Sequence, residues 1–308
     1  MTDLAVPTVN IAPRLHRGGR GAFVSQAAFE RFLDTYRDGM AELPPFEHFD
    51  VPTSFGTVRA YRFGGPDTGA PVVLLPGRNA STPMYRTNLP SLLARRTVYS
   101  IDLLGEAGLS VQDRQIRSAE DQARWLDETL AGLGLARAHL LGVSIGGWTA
   151  VNLAVHRPER IASLTLLDPV MTFAPLPLKP ILVSTVLFAP GIPEEWRKHA
   201  LSWISGGADV DSAEPEAALI SAGSKEFALR TPLPKMFTDE QLRSLDAPVL
   251  ALIAGRSVML DPERAAARAR ELLPQGQVEL WPDASHAING EYPDEIAERA
   301  GQFWDSLD

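Results

Sequence analysis

The sequence has no cysteine among its 308 residues, which excludes disulfides and thiolate metal sites. It has no block of lysine or arginine that would neutralise a row of phosphates. With a net charge of −9, a nucleic-acid partner is not expected. Its longest apolar stretch, Ile181 to Ala189, is too short to span a bilayer and is bracketed by Pro180 and Pro190, so no membrane span is expected. Met1 to Arg20 is rich in polar residues and lacks an apolar leader core, which makes a cytoplasmic location the expectation. No His, Asp or Glu residues recur at metal-ligand spacing. The glycines at 18–21 lack the strand and helix that a nucleotide loop requires. Neither a metal nor a cofactor is implied, and no internal repeat or low-complexity tract is present.

What is there is a chain that is 45% hydrophobic, enough for one large core. Residues 1–22 read as loose. Ser25 to Leu43 reads as a helix with Phe29, Phe32, Leu33 and Tyr36 on one stripe. Two strands follow, near 47–52 and 57–63, split by a turn at Ser54-Phe55-Gly56. Short apolar strands then alternate with amphipathic helices. Strands are expected at 72–75, 97–101, 138–141, 162–167, 248–254 and 278–281, and helices at 118–133, 145–155, 262–273 and 293–307. That alternation implies a mostly parallel sheet covered on both faces. Residues 171–245 interrupt it, proline-rich at first and then helix-like. The expected organisation is an N-terminal arm and helix over 1–44, a core from 45–170 and 246–308, and a helical cap over 171–245.

Within this alternation, Gly142-Val143-Ser144-Ile145-Gly146-Gly147 stands between an apolar strand and a helix-like run. A serine between glycines can occupy a strand-to-helix turn too tight for side chains at the flanking positions. Such a turn lifts the hydroxyl out of the sheet. It also places the Ile145 N–H at a helix start, where it can face a developing oxyanion. Ser144 is therefore the candidate nucleophile, and a serine hydroxyl needs an adjacent base to act as one.

Five features in this order resemble the α/β-hydrolase family over about residues 45–308. They are Leu74-Leu75-Pro76-Gly77-Arg78 at a strand end, the segment Ile101–Ser110, the serine elbow, the cap-sized insertion, and Asp283-Ala284-Ser285-His286-Ala287 near the C-terminus. The resemblance implies that fold, and a catalytic base in the loop after the last strand. Of the six histidines, only His286 lies there. The family's second oxyanion donor falls on the backbone N–H of Arg78. The Arg78 side chain has three open readings: binding a substrate carboxylate, pairing with a cap acid, or pointing into solvent.

The acid departs from the family's common pattern. Its usual position, after strand 249–253, falls on Ser257 or Val258, neither of which ionises. Asp261 lies just beyond but precedes Pro262 and resembles a helix N-cap. Some members hold the acid after the preceding strand, where this chain has Asp168. Asp168 is the first choice, Asp261 the alternative, and a site without an acid the third reading.

The resemblance implies a small-molecule ester-like substrate with an apolar acyl or alcohol part, cleaved through an acyl-serine intermediate. A serine at the elbow argues against dehalogenase and epoxide hydrolase chemistry, which uses an aspartate there. C–C bond hydrolysis, lyase, perhydrolase or biosynthetic tailoring chemistry on the same fold stays open, as does a degenerate ligand-binding member. Association into a homo-oligomer is likewise left open.

Overall fold

A computed structural model describes residues 4–16, 18–188, 192–204 and 215–307. Its strands in chain order are β1 (Ala22–Phe23), β2 (Phe46–Thr53), β3 (Gly56–Phe63), β4 (Val72–Leu75), β5 (Val98–Ile101), β6 (Val111–Gln112), β7 (Ala138–Val143), β8 (Ile161–Leu167), β9 (Phe227–Ala228), β10 (Val249–Ala254) and β11 (Gly276–Trp281). Among the described residues nine of these form one sheet in the order β11-β10-β8-β7-β4-β5-β3-β2, with β6 also on β3. Strands β4, β5, β7, β8, β10 and β11 run parallel. β2 and β3 form an antiparallel hairpin that extends the sheet past β5.

Residue alternation along the strands divides the core in two. Val73, Leu75, Leu140, Leu164, Leu166, Ala251 and Ile253 face one side, where the helices Ala119–Gly132, Ile145–His156 and Pro262–Leu272 pack. Val72, Leu74, Leu141, Val143, Leu250 and Leu252 face the other, against Gln26–Ala41 and Pro293–Asp305. Burial on both faces is why these strands are continuous apolar runs in sequence. Helix starts follow local chemistry. Ser25 accepts from the Ala28 N–H, and Ser118 and Asp121 form a reciprocal capping box.

From β4 the chain moves to β5 on one side, then crosses back to β7 on the other. The loops after β4 and β7 therefore leave adjacent strands at the reversal of strand order, the usual ligand position of an open α/β sheet. The register sets Leu75 opposite Gly142, so the two loops start side by side.

The segment after β8 contains the helices Leu178–Phe188, Glu194–Ile204 and Pro215–Glu226. Pro180 lies in the first turn of its helix, where its missing N–H costs no helical bond. Ala189 and Pro190, which end the long apolar run, lie outside the described residues. Helix Pro215–Glu226 reaches the loop after β4, where Ser224 Oγ accepts from Asn79 Nδ2 at 3.2 Å. It also joins helix Gln26–Ala41 through a bidentate Arg31–Glu226 pair at 2.7 and 2.9 Å.

The N-terminal arm is more ordered than its composition suggests. Ile11 bridges Phe23, Asn10 Nδ2 donates to Gln112 O at 2.6 Å, and β1 pairs antiparallel with β9. These partners are distant in sequence, which is why the arm reads as loose when taken alone. Among the described residues no helix is long and apolar enough to cross a membrane, and no three His, Asp or Glu residues are grouped to hold a metal ion.

Candidate active site

Ser144 sits between the end of β7 and the start of helix Ile145–His156, with φ 54° and ψ −113°. That left-handed backbone costs about 1–3 kcal/mol for a non-glycine residue. The flanking glycines permit it by close approach. A Cβ at Gly146 would lie 2.0 Å from the Leu75 carbonyl oxygen, and one at Gly142 would lie 2.4 Å from the Gly146 oxygen. The turn is fixed by the Ser144 N–H, which donates to Leu167 O at 3.0 Å.

His286 comes from the loop after β11 and is partly buried. Its Nε2 lies 3.0 Å from Ser144 Oγ, and its Nδ1 lies 2.5 Å from Asp168 Oδ2. An ionised carboxylate only accepts, so the Nδ1 proton donates to Asp168 and Nε2 is left to accept from the serine hydroxyl. The histidine loop is held by Glu291, which accepts from the Ser285 N–H and hydroxyl, both at 2.7 Å.

Asp168 follows β8 and is fully buried, with φ 43°. Its backbone N–H donates to Leu252 O at 2.9 Å. Its Oδ1 accepts the Ala254 N–H at 3.1 Å, and its Oδ2 accepts the Ser257 hydroxyl at 2.6 Å as well as the imidazole. Donors thus meet both carboxylate oxygens without solvent.

A family model described as the alpha/beta hydrolase family matches residues 72–299, most of the chain. The chain belongs to the alpha/beta hydrolase family. Within that family it is 28% identical over 284 residues to the carboxylesterase YbfK of Bacillus subtilis, covering 89% of this chain and 93% of that protein. It is 27% identical over 283 residues to the uncharacterized carboxylesterase nap of the same organism, covering 90% and 93%. Among solved structures, the naproxen esterase (carboxylesterase NP) of Bacillus subtilis superposes with a TM-score of 0.81 at 28% identity, over 89% of this chain and 97% of that one.

Of the residues that family membership brings into focus, Ser144, His286 and Asp168 share one hydrogen-bonded chain. Asp261 stands apart: its Oδ1 accepts the Arg264 N–H at 3.1 Å and caps helix Pro262–Leu272. Ile145 opens the helix after the elbow, where the first N–H groups have no acceptor one turn back. The loop carrying Arg78 passes beside the serine, since a Cβ built at Gly77 would lie 3.9 Å from Ser144 Cβ.

The Arg78 side chain is partly exposed and pairs with an acid outside residues 171–245. Its NH1 lies 3.2 Å from Glu106 Oε1, on the loop after β5. Glu106 also accepts the Asn79 N–H at 3.3 Å. Burial pushes the Glu106 carboxyl up, while Arg78 and the Asn79 N–H hold it down. Arg78, Glu106 and Ile145 line a cleft whose walls include Leu103, Trp125 and Trp148.

Three residues of this neighbourhood escape a reading by residue type: Glu106, Ser257 and Glu291. Each acts through a partner far away in sequence or on a backbone group. Only Ser257 carries a prior signal, because the usual acid spacing falls on it.

Proposed function

We propose that this protein is a serine hydrolase of carboxylic esters, with Ser144 as nucleophile, His286 as base and Asp168 as acid. The observation that carries the reading is the unbroken chain from Ser144 Oγ through both imidazole nitrogens to a buried carboxylate. The carboxylesterase relatives, matched over most of both chains, support ester bonds as the target.

In this reading Ser144 Oγ attacks the ester carbonyl carbon as its proton passes to His286 Nε2. Asp168 fixes the tautomer and stabilises the imidazolium. The negative charge that forms on the carbonyl oxygen faces the N–H groups of Ile145 and Arg78. The intermediate collapses, the carbon–oxygen bond to the alcohol breaks, and His286 returns the proton to the departing oxygen. Water then attacks the acyl-serine by the same route, releasing the acid and restoring the hydroxyl.

An apolar acyl or alcohol group is part of this reading; Leu103, Ile145 and Trp148 line the neighbouring cleft together with the Arg78–Glu106 pair. Residues 171–245 serve in this reading as a cap over the core formed by 45–170 and 246–308, with 1–44 as an arm that holds the cap. The contacts of helix Pro215–Glu226 with the loop after β4 support that role.

The test is turnover of short aryl esters of increasing acyl length, with Ser144→Ala in parallel. Ser144→Ala is expected to lose about 10⁵-fold or more in kcat/KM. Mass spectrometry should trap an acyl group on Ser144 in the parent enzyme. Full esterase activity in Ser144→Ala overturns the reading.

A further inference from the structure

We propose that Ser257 is the positioning residue of the acid. The inference rests on the reading of Asp168 as the acid.

Ser257 is buried on the loop between β10 and helix Pro262–Leu272. Its hydroxyl donates to Asp168 Oδ2 at 2.6 Å, the same oxygen that receives His286 Nδ1 at 2.5 Å. The Met259 N–H donates to Ser257 Oγ at 3.2 Å, occupying a lone pair and leaving the hydroxyl proton for Asp168. The terminal torsion of an aspartate is broad and two-fold, so its carboxylate plane is not set by its own side chain. Here the plane is set by Ser257 on one oxygen and by the Ala254 N–H on the other.

The loop that carries the hydroxyl is tied to the loop that carries the base. Gly255 N donates to Trp281 O at 2.8 Å, and Arg256 N donates to Ala284 O at 2.9 Å. Ser257 therefore holds the carboxylate in register with the histidine, although Asp168 itself belongs to a different strand end.

The experiment measures kcat and KM of the full chain on one aryl ester, with thermal unfolding as the control for folding. Ser257→Ala is expected to lower kcat about tenfold with KM unchanged, the size of a lost hydrogen bond to a charged group. Ser257→Thr, which keeps the hydroxyl, is expected to recover most of that loss. Asp168→Asn is expected to lose about 10⁴-fold in kcat. The inference is overturned if Ser257→Ala stays within twofold of the parent kcat. If Ser257→Ala fails to fold, Ser257→Cys, which keeps the side-chain size but donates only weakly, decides by the same twofold criterion. Should Asp168→Asn keep the parent turnover, the assignment of the acid fails, and this inference with it. A large loss in Asp168→Asn beside neutral Ser257 variants sinks only the inference.

Discussion

Two carboxylates lie fully buried at the same edge of the parallel strands, Asp102 after β5 and Asp168 after β8. In sequence they resemble each other, each closing an apolar strand. Asp102 accepts the Thr82 N–H at 3.0 Å, the Thr82 hydroxyl at 2.9 Å, the Tyr36 hydroxyl at 2.9 Å and the Leu109 N–H at 2.9 Å. Burial pushes its carboxyl up, and these donors partly hold it down. Asp168 accepts from a backbone N–H, a serine hydroxyl and an imidazole. Burial and hydrogen-bond count do not separate the two. What separates them is one donor, a histidine whose other nitrogen reaches an elbow serine. Asp102 closes a structural knot between the N-terminal helix, the turn at Thr82 and its own loop. Asp168 closes a hydrogen-bonded path that ends at the elbow serine.

That contrast is most exposed to removal of each charge. Asp168→Asn is expected to lower kcat of the folded protein about 10⁴-fold, with a stability cost as well, since its amide meets the Ala254 N–H and the Ser257 hydroxyl. Asp102→Asn is expected to cost stability alone, with kcat of the folded protein unchanged. Its amide would set a donor against buried N–H and hydroxyl groups, lowering unfolding stability by about 3 kcal/mol in a denaturant titration. If the folded Asp102→Asn protein lost turnover as severely as Asp168→Asn, the division between knot and path would be wrong.

A smaller effect sharpens the comparison through pH. Burial raises the Glu106 carboxyl in the folded state above its unfolded value. The folded protein therefore binds this proton more readily, and stability rises as pH falls through the raised folded value toward the ordinary carboxylate range. Relative to Glu106→Gln, the parent protein should gain in unfolding temperature on acidification over that window. A relative loss there would reverse the assigned direction.

The smallest expected effect belongs to Asp261, a further carboxylate near this edge. Asp261→Ala removes a helix N-cap and should cost about 1 kcal/mol of stability with kcat unchanged. A large loss of kcat would move the acid to Asp261.

The order of strands and helices is legible in the sequence because burial on two faces writes itself as short apolar runs, and caps such as Ser118 mark the helix starts. The elbow is legible because its glycines answer a steric demand that is local. The short pairing of β1 with β9 is not, since two-residue strands carry no periodicity. Ser257 and Glu106 are not legible as parts of the site either. A hydroxyl or a buried acid gains its meaning from the atom it meets, and those atoms arrive from Asp168 and Arg78, distant along the chain.

Ser144 and Asp168 stand at the ends of two consecutive strands joined by a single helix, whereas His286 is 142 residues from one and 118 from the other. The whole excursion at 171–245 is spliced into that longer stretch. A change in its length therefore leaves untouched the separation of the two residues that the βαβ unit sets.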